Sequence, residues 1–361
     1  MKIKAHSYLE KIDNYVPGKA KISGKKAIKL SSNENALGVS YKVIEAYKKH
    51  SSDIFRYADG SCTELRELLA SKNNISAEQI ICGAGSDEII SLITTAFAGV
   101  DDEIIYSEHG FLMYPISAMR VGARAIKVKE NNLKTDINEI IKAVTFQTKI
   151  IFIANPNNPT GSYLSAKEIL ELINKIPKNI LIVLDHAYEE FVEANDYPDA
   201  IDLVKKNENV IVTRTFSKIY GLASLRIGWC YCSKYIAEIL NKIRGPFNVS
   251  GPAQICAKEA LLDEEFLILS KKHNQKWLKI LFDEIAENKA IKAYPSIANF
   301  ILIDFFSTEK CSSANKIFLE NNIILREMNS YGLSSCLRLT IGNDQENYEL
   351  IRVLKNNFLY E

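Results

Sequence analysis

The chain has 361 residues, too many for one compact core and enough for two domains or one large domain with an appendage. Hydrophobic residues make up 47% and charged residues 25%, and Lys+Arg 45 against Asp+Glu 44 leave a net charge of +1. That balance is ordinary for a soluble globular protein and gives no electrostatic reason to expect nucleic acid or an anionic membrane as partner.

The amino-terminal stretch MKIKAHSYLEKIDNYVPGK has no apolar core of the kind a secretion signal carries, and nowhere do 18 apolar residues run together. The seven cysteines are odd in number and form no CxxC pair. Cys230 and Cys232, one residue apart in an apolar run, would point the same way from a strand, which suits core packing better than a metal site. A reduced, cytoplasmic protein without a metal is expected.

From about residue 78 the chain alternates short apolar runs with helical patterns. Strands are predicted over 79–82, 103–106, 124–128, 149–154, 180–184, 210–213 and 227–232. Helices are predicted over 87–97 and 166–175, with Ser86 and Ser165 at their N-cap positions. Nearly continuous apolar strands separated by helices indicate a mostly parallel sheet covered on both faces. This block ends near Arg244-Gly245-Pro246. After Pro252 a long helical stretch, 253–288, leads to strands over 300–304, 323–326 and 337–341 and a closing helix. The fold class is α/β: a large domain with a mostly parallel sheet flanked by helices, plus a smaller α+β domain. The expected division is an arm and part of the small domain over 1–45, the large domain over 46–247 and the small domain over 248–361.

In open α/β sheets ligands bind beyond the carboxyl ends of the strands. After the first strand comes Gly83-Ala84-Gly85-Ser86-Asp87-Glu88. Glycines there let the backbone approach an anion, and the first helical turn offers free N–H groups to a phosphate, although the same residues also make an ordinary turn. After 149–154 comes Asn155-Pro156-Asn157-Asn158-Pro159-Thr160-Gly161, which presents an amide side chain at the sheet edge or serves as a rigid loop. After 180–184 comes Asp185, followed by His186-Ala187-Tyr188. A carboxylate at the end of a buried strand needs a cation such as a protonated pyridine nitrogen, unless it caps a helix. In "RTFSKIYGLASLRIGW" (214–229), Thr215, Ser217 and Arg226 suit one phosphate. Lys218, in apolar surroundings, would have its ammonium disfavoured, leaving an amine free to attack a carbonyl.

The order NPNNPTG, D-x-A-Y, T-F-S-K-x-x-G-L-x-x-x-R resembles the fold type I pyridoxal-phosphate aminotransferases. Within them the chain most resembles the histidinol-phosphate aminotransferase subgroup. "NYVPGK" (14–19), "KLSSNENALG" (29–38), "FRYADGSCTELRELLA" (55–70), "GAGSDE" (83–88), "RGPFNVS" (244–250) and "YGLSSCLRLTIG" (331–342) carry that likeness over nearly the whole chain. Ala36 and Ala58 depart from it, standing where the family usually has proline.

The resemblance implies pyridoxal 5'-phosphate as cofactor, held by Lys218, which would also shuttle a proton at the substrate. It assigns Asp185 to the pyridine nitrogen, Tyr188 and Asn158 to the ring's 3-oxygen, and Phe111 to the ring face, where plain core packing is the alternative. The backbone around Gly85 and Ser86, with Thr215, Ser217 and Arg226, would bind the cofactor phosphate. Tyr57 would reach that phosphate from a neighbouring subunit, implying a homodimer with shared sites. Arg338 would take the α-carboxylate of the amino donor, glutamate being expected. Arg326 and Tyr15 would take the phosphorylated substrate, although Glu327 beside Arg326 competes for its guanidinium. The implied reaction is ping-pong exchange between histidinol phosphate and 2-oxoglutarate. Transamination of another small phosphorylated ketone or amino alcohol, or decarboxylation of a phospho-amino acid, stays open at this point.

Overall fold

The computed structural model describes residues 3–14, 18–19, 21–22, 27–286 and 289–358. Seven strands build the large sheet: β1 (Ile80–Gly83), β2 (Glu103–Ser107), β3 (Arg124–Val128), β4 (Thr148–Ala154), β5 (Leu181–Asp185), β6 (Val210–Thr215) and β7 (Gly228–Tyr231). They lie in the order β1-β7-β6-β5-β4-β2-β3. β7 runs antiparallel to both its neighbours and every other pairing is parallel. The period-two alternation of side chains divides the strands' apolar residues between two cores. Ile80, Cys82, Ile151, Ile153, Ile182, Leu184, Val210 and Val212 join one cluster. Ile81, Ile150, Phe152, Leu181, Val183 and Ile211 join the other. A sheet buried on both faces follows, as the unbroken apolar runs foretold.

Two expectations are corrected here. Ser86 is the first residue of the helix Ser86–Phe97, and Gly85 is its N-cap. Gly85 sits at φ +85, which strains any other residue, and a Cβ on it would lie 2.4 Å from Arg226 Nη2, so a side chain there would displace that guanidinium. Ser165 does cap the helix Ala166–Lys175, in a reciprocal capping box with Glu168. The long helical stretch is two helices, Gly251–Leu262 and Glu264–Ala286, broken at Asp263. That carboxylate accepts from Ser40 Oγ and pairs with Lys42 Nζ at 3.0 Å, tying the break to the start of the helix Tyr41–Lys49.

The second sheet is antiparallel, with β8 (Lys292–Tyr294), β9 (Phe300–Asp304), β10 (Arg326–Glu327) and β11 (Cys336–Thr340) in the order β8-β9-β11-β10. The strand expected over 323–326 divides, because Ile323–Ile324 pairs in parallel with Ile28–Lys29 of the amino-terminal arm. Trp277, Ile301, Ile303, Leu337, Leu339 and Leu350 form this sheet's core, with Leu30 of the arm packed among them. Val249, Ala253, Cys256 and Ala257 instead belong to the core of the large sheet. We therefore propose a domain division near Asp263, one helix later than residue 248.

The parallel register sets the ends of three strands side by side. Ala154 pairs with Asp185, and Asp185 with Thr213, two residues before the end of β6. The loops following β4, β5 and β6 thus leave from one edge, facing the second sheet. Among the described residues, no helix is long and apolar enough to cross a membrane, and no three His, Cys, Asp or Glu side chains gather as a metal site.

Candidate active site

A cavity of about 530 Å³ opens at that edge, lined by Asp185, Tyr188, Lys218 and Arg226 from the large domain and by Arg326 and Arg338 from the second sheet. Asp185, at the end of β5, is buried, with the Tyr114 hydroxyl donating to Oδ2 at 2.8 Å and Thr213 Oγ1 to Oδ1 at 3.1 Å. Both partners are neutral hydroxyls. Burial raises its carboxyl above the usual range, with those two hydrogen bonds opposing. It accepts no backbone N–H among the described residues, so the capping alternative does not apply.

Lys218 follows β6, between the fully buried Phe216 and Ile219. Its Nζ lies 5.4 Å from the centroid of the Tyr188 ring. Burial, aided by the Arg338 cation, lowers its ammonium to about 8. The Tyr188 phenol is pushed up to about 12 by burial and accepts a hydrogen bond from Asn33 Nδ2 at 2.9 Å. Asn33 is itself fixed by Thr340 of β11, through its N–H and its Oδ1, both at 2.9 Å. Asn158 Oδ1 accepts from Arg338 Nη1, while Arg338 Nη2 donates to the Ser31 carbonyl at 3.1 Å. The guanidinium also lies 5.3 Å from the Phe300 ring centroid.

Ser86, Thr215, Ser217 and Arg226 also line the cavity. Arg226 Nη1 donates to Ser217 Oγ at 3.1 Å, and Nη2 pairs with Asp87 Oδ2 at 3.2 Å. The arginine holds a left-handed φ of 50, a conformation that costs energy in a non-glycine residue and that the surrounding contacts sustain. Gly85 does not line the cavity but seats this guanidinium.

Phe111 lines the cavity and also packs on the core, meeting Tyr114 edge-on at 5.8 Å. Arg326 is buried at the cavity wall while Glu327 is exposed, as alternation along a strand requires. Tyr57 is outside the cavity, 85% exposed and stacked on Phe247 at 4.6 Å. Tyr15 falls outside the described residues.

Residues 25–354 match the family model described as aminotransferase class I and II. The chain belongs to the class I and II aminotransferases. It is 46% identical to the histidinol-phosphate aminotransferase of Pelagibacter ubique, over 96% of this chain and 97% of that one. It is 44% identical to that of Paramagnetospirillum magneticum, over 94% of each chain. The crystal structure of the Sinorhizobium meliloti histidinol-phosphate aminotransferase in complex with pyridoxal-5'-phosphate superposes with a TM-score of 0.87 at 26% identity, covering 92% of this chain and 91% of that one.

The aminotransferase depends on pyridoxal phosphate, and its cavity suits that molecule. Asp185 is a buried carboxylate whose hydrogen-bond partners among the described residues are neutral hydroxyls, which leaves room for a pyridinium. Lys218 Nζ makes no hydrogen bond or ion pair among the described residues and is eased towards the neutral amine. Arg226, two hydroxyls and a helix start gather where a phosphate would lie.

Several site residues of the aminotransferase were not anticipated from sequence. Tyr114 stands three residues past Phe111 in "GFLMYP", and Asn33 lies inside the quoted "KLSSNENALG". Asp87 sits inside "GAGSDE", where nothing local signals its pairing with Arg226. Thr213 had no signal of its own.

One pH dependence follows. Below the Lys218 value of about 8, the neutral fraction of the amine falls about tenfold per unit. Capture of pyridoxal phosphate by the cofactor-free protein should therefore accelerate up to about pH 8 and level off above it, which stopped-flow absorbance reads directly. A rate still climbing at about pH 10, where an ordinary lysine titrates, would contradict a buried, eased amine.

Proposed function

We propose that this aminotransferase exchanges the amino group between histidinol phosphate and 2-oxoglutarate, giving imidazole-acetol phosphate and glutamate. One observation carries the reading. Arg326 of β10 and Arg338 of β11 are directly paired across the strands, and both are buried on the wall of one cavity. Two guanidinium forks on one cavity wall suit anionic groups of small substrates. An α-carboxylate on one substrate and a phosphate on the other supply those anions in turn. The relatives named above support histidinol phosphate as one of the two substrates.

Bound pyridoxal phosphate supplies a carbonyl for amines and an electron-withdrawing ring. Lys218 Nζ anchors it and takes the proton from the substrate α-carbon. Asp185 holds a proton on the ring nitrogen, and Tyr114 and Thr213 hold Asp185. Tyr188 and Asn158 bond the 3-oxygen, and Phe111 covers a ring face. The backbone around Gly85 and Ser86, with Thr215, Ser217 and Arg226, binds the cofactor phosphate, Gly85 by seating the Arg226 guanidinium. Arg338 forks onto the carboxylate of glutamate, while Arg326 and Tyr15 receive the substrate phosphate.

The working unit in this reading is a homodimer. Ile54, Phe55, Tyr57 and Phe247 expose an apolar face beside a recess of about 660 Å³. A second copy covering it brings Tyr57 to the other site's phosphate. Sedimentation should give twice the chain mass, and a stable monomer would contradict the assignment of Tyr57. The seven cysteines, all free and buried, suit a reducing cytoplasm.

The arginines provide the test. A charge-assisted contact of this kind contributes roughly 1.5–3 kcal/mol, about one to two powers of ten in affinity. Arg338→Ala should weaken glutamate by that factor and histidinol phosphate, which lacks an α-carboxylate, by less. Arg326→Ala should do the reverse. Each half-reaction is measurable alone in a ping-pong enzyme. Equal losses for both ligands in both variants would contradict the division of labour.

A further inference from the structure

The loop assigned to the cofactor phosphate is held from its far side by a residue that the mechanism does not use. Glu88, in the first turn of Ser86–Phe97, folds its carboxylate back, and the Ala84 N–H donates to Oε2 at 2.6 Å. The same oxygen accepts from Asn248 Nδ2 at 2.7 Å. Asn248 Nδ2 also donates to the Cys82 carbonyl at 3.2 Å, and its Oδ1 accepts from Arg244 Nη1 at 3.1 Å. A single amide, distant in sequence, therefore bridges the end of β1 and the start of the helix, the two anchors of residues 83–86. Arg226 sits against the same loop at Gly85.

The chemistry of Glu88 makes the clamp informative. A carboxylate beside a phosphate loop repels the dianion, so electrostatics alone would select against it. Its geometry gives the reason for its presence: it fixes the Ala84 N–H, and Asn248 fixes it. We infer that Asn248, acting through Glu88, is a positioning residue for the cofactor phosphate. It keeps the N–H groups at the helix start aligned on that group while touching neither substrate nor cofactor. The inference rests on the assignment of the phosphate to residues 83–86.

Pyridoxal, which lacks the phosphate, separates this role from a general loss of structure. Dissociation constants of pyridoxal phosphate and pyridoxal are measured on the cofactor-free protein, its Asn248→Ala variant and its Asn248→Asp variant. Asn248→Ala should weaken pyridoxal phosphate roughly tenfold, the effect of one hydrogen bond to a charged group, and leave pyridoxal unchanged. Asn248→Asp should lose more, because a carboxylate cannot donate and faces Glu88 directly. Equal losses for both ligands, or an unaltered preference for pyridoxal phosphate, would overturn the role of Asn248. A parent protein that holds both ligands equally would instead overturn the phosphate assignment, and the inference with it.

Discussion

Lys218→Ala should leave a folded protein with no measurable turnover. In the proposed reaction the amine has two tasks, anchoring the cofactor and carrying the α-proton, and another lysine lining the cavity, Lys29, is paired with Glu34 Oε1 at 2.6 Å. Proton transfer by a placed side chain alone contributes roughly 10²–10⁴-fold, so single-turnover rates should fall by at least that range. A small exogenous amine should restore part of the proton transfer but not the anchoring. The variant also carries a stability signature. In the folded parent Lys218 titrates near 8 against an ordinary value of 10.5, so between those values the unfolded chain binds more protons. The cofactor-free parent therefore gains stability as pH rises through that window, and the penalty is fully present below it. Lys218→Ala should lack this slope in denaturant titrations. Turnover near the parent's rate would remove Lys218 from the mechanism.

Asp185→Asn should retain the cofactor and lose the chemistry. The amide fits the same space, with one of the Tyr114 and Thr213 hydroxyls donating to its oxygen and the other accepting from its N–H. A neutral amide, however, cannot hold a proton on the ring nitrogen, and without that charge the electron sink is weak. The half-reaction with glutamate should slow by roughly a hundredfold or more, the scale of a lost acid–base group. Cofactor content, read from absorbance, should change little. An unimpaired half-reaction would make Asp185 structural.

The sequence made the strand-end logic legible because each functional loop follows an apolar run that has only one reading. Asp185 and Lys218 stand out as charged residue types that cost energy in apolar surroundings, and Gly85 as the residue type that a positive φ favours. The supporting residues are silent for a different reason. Thr213 matters because β6 lies beside β5 in one register, and no local pattern reports a partner strand. Asn33 and Thr340 meet across most of the chain to brace Tyr188. The pairing of Arg326 with Arg338, which carries the substrate reading, likewise appears only when β10 and β11 come together. The division of 323–326 was hidden because its partner, Ile28–Lys29, is a two-residue strand in the arm. Asp263 looked like one polar residue in a long helix, and only its bonds to Ser40 and Lys42 make it a break.

The most direct test of the account mixes the cofactor-loaded protein with histidinol phosphate alone, follows the loss of cofactor absorbance, and then adds 2-oxoglutarate. The account predicts that the absorbance falls, that it returns on the second addition, and that one glutamate and one imidazole-acetol phosphate appear per cycle. Unchanged absorbance with histidinol phosphate, while glutamate still reacts, would contradict it.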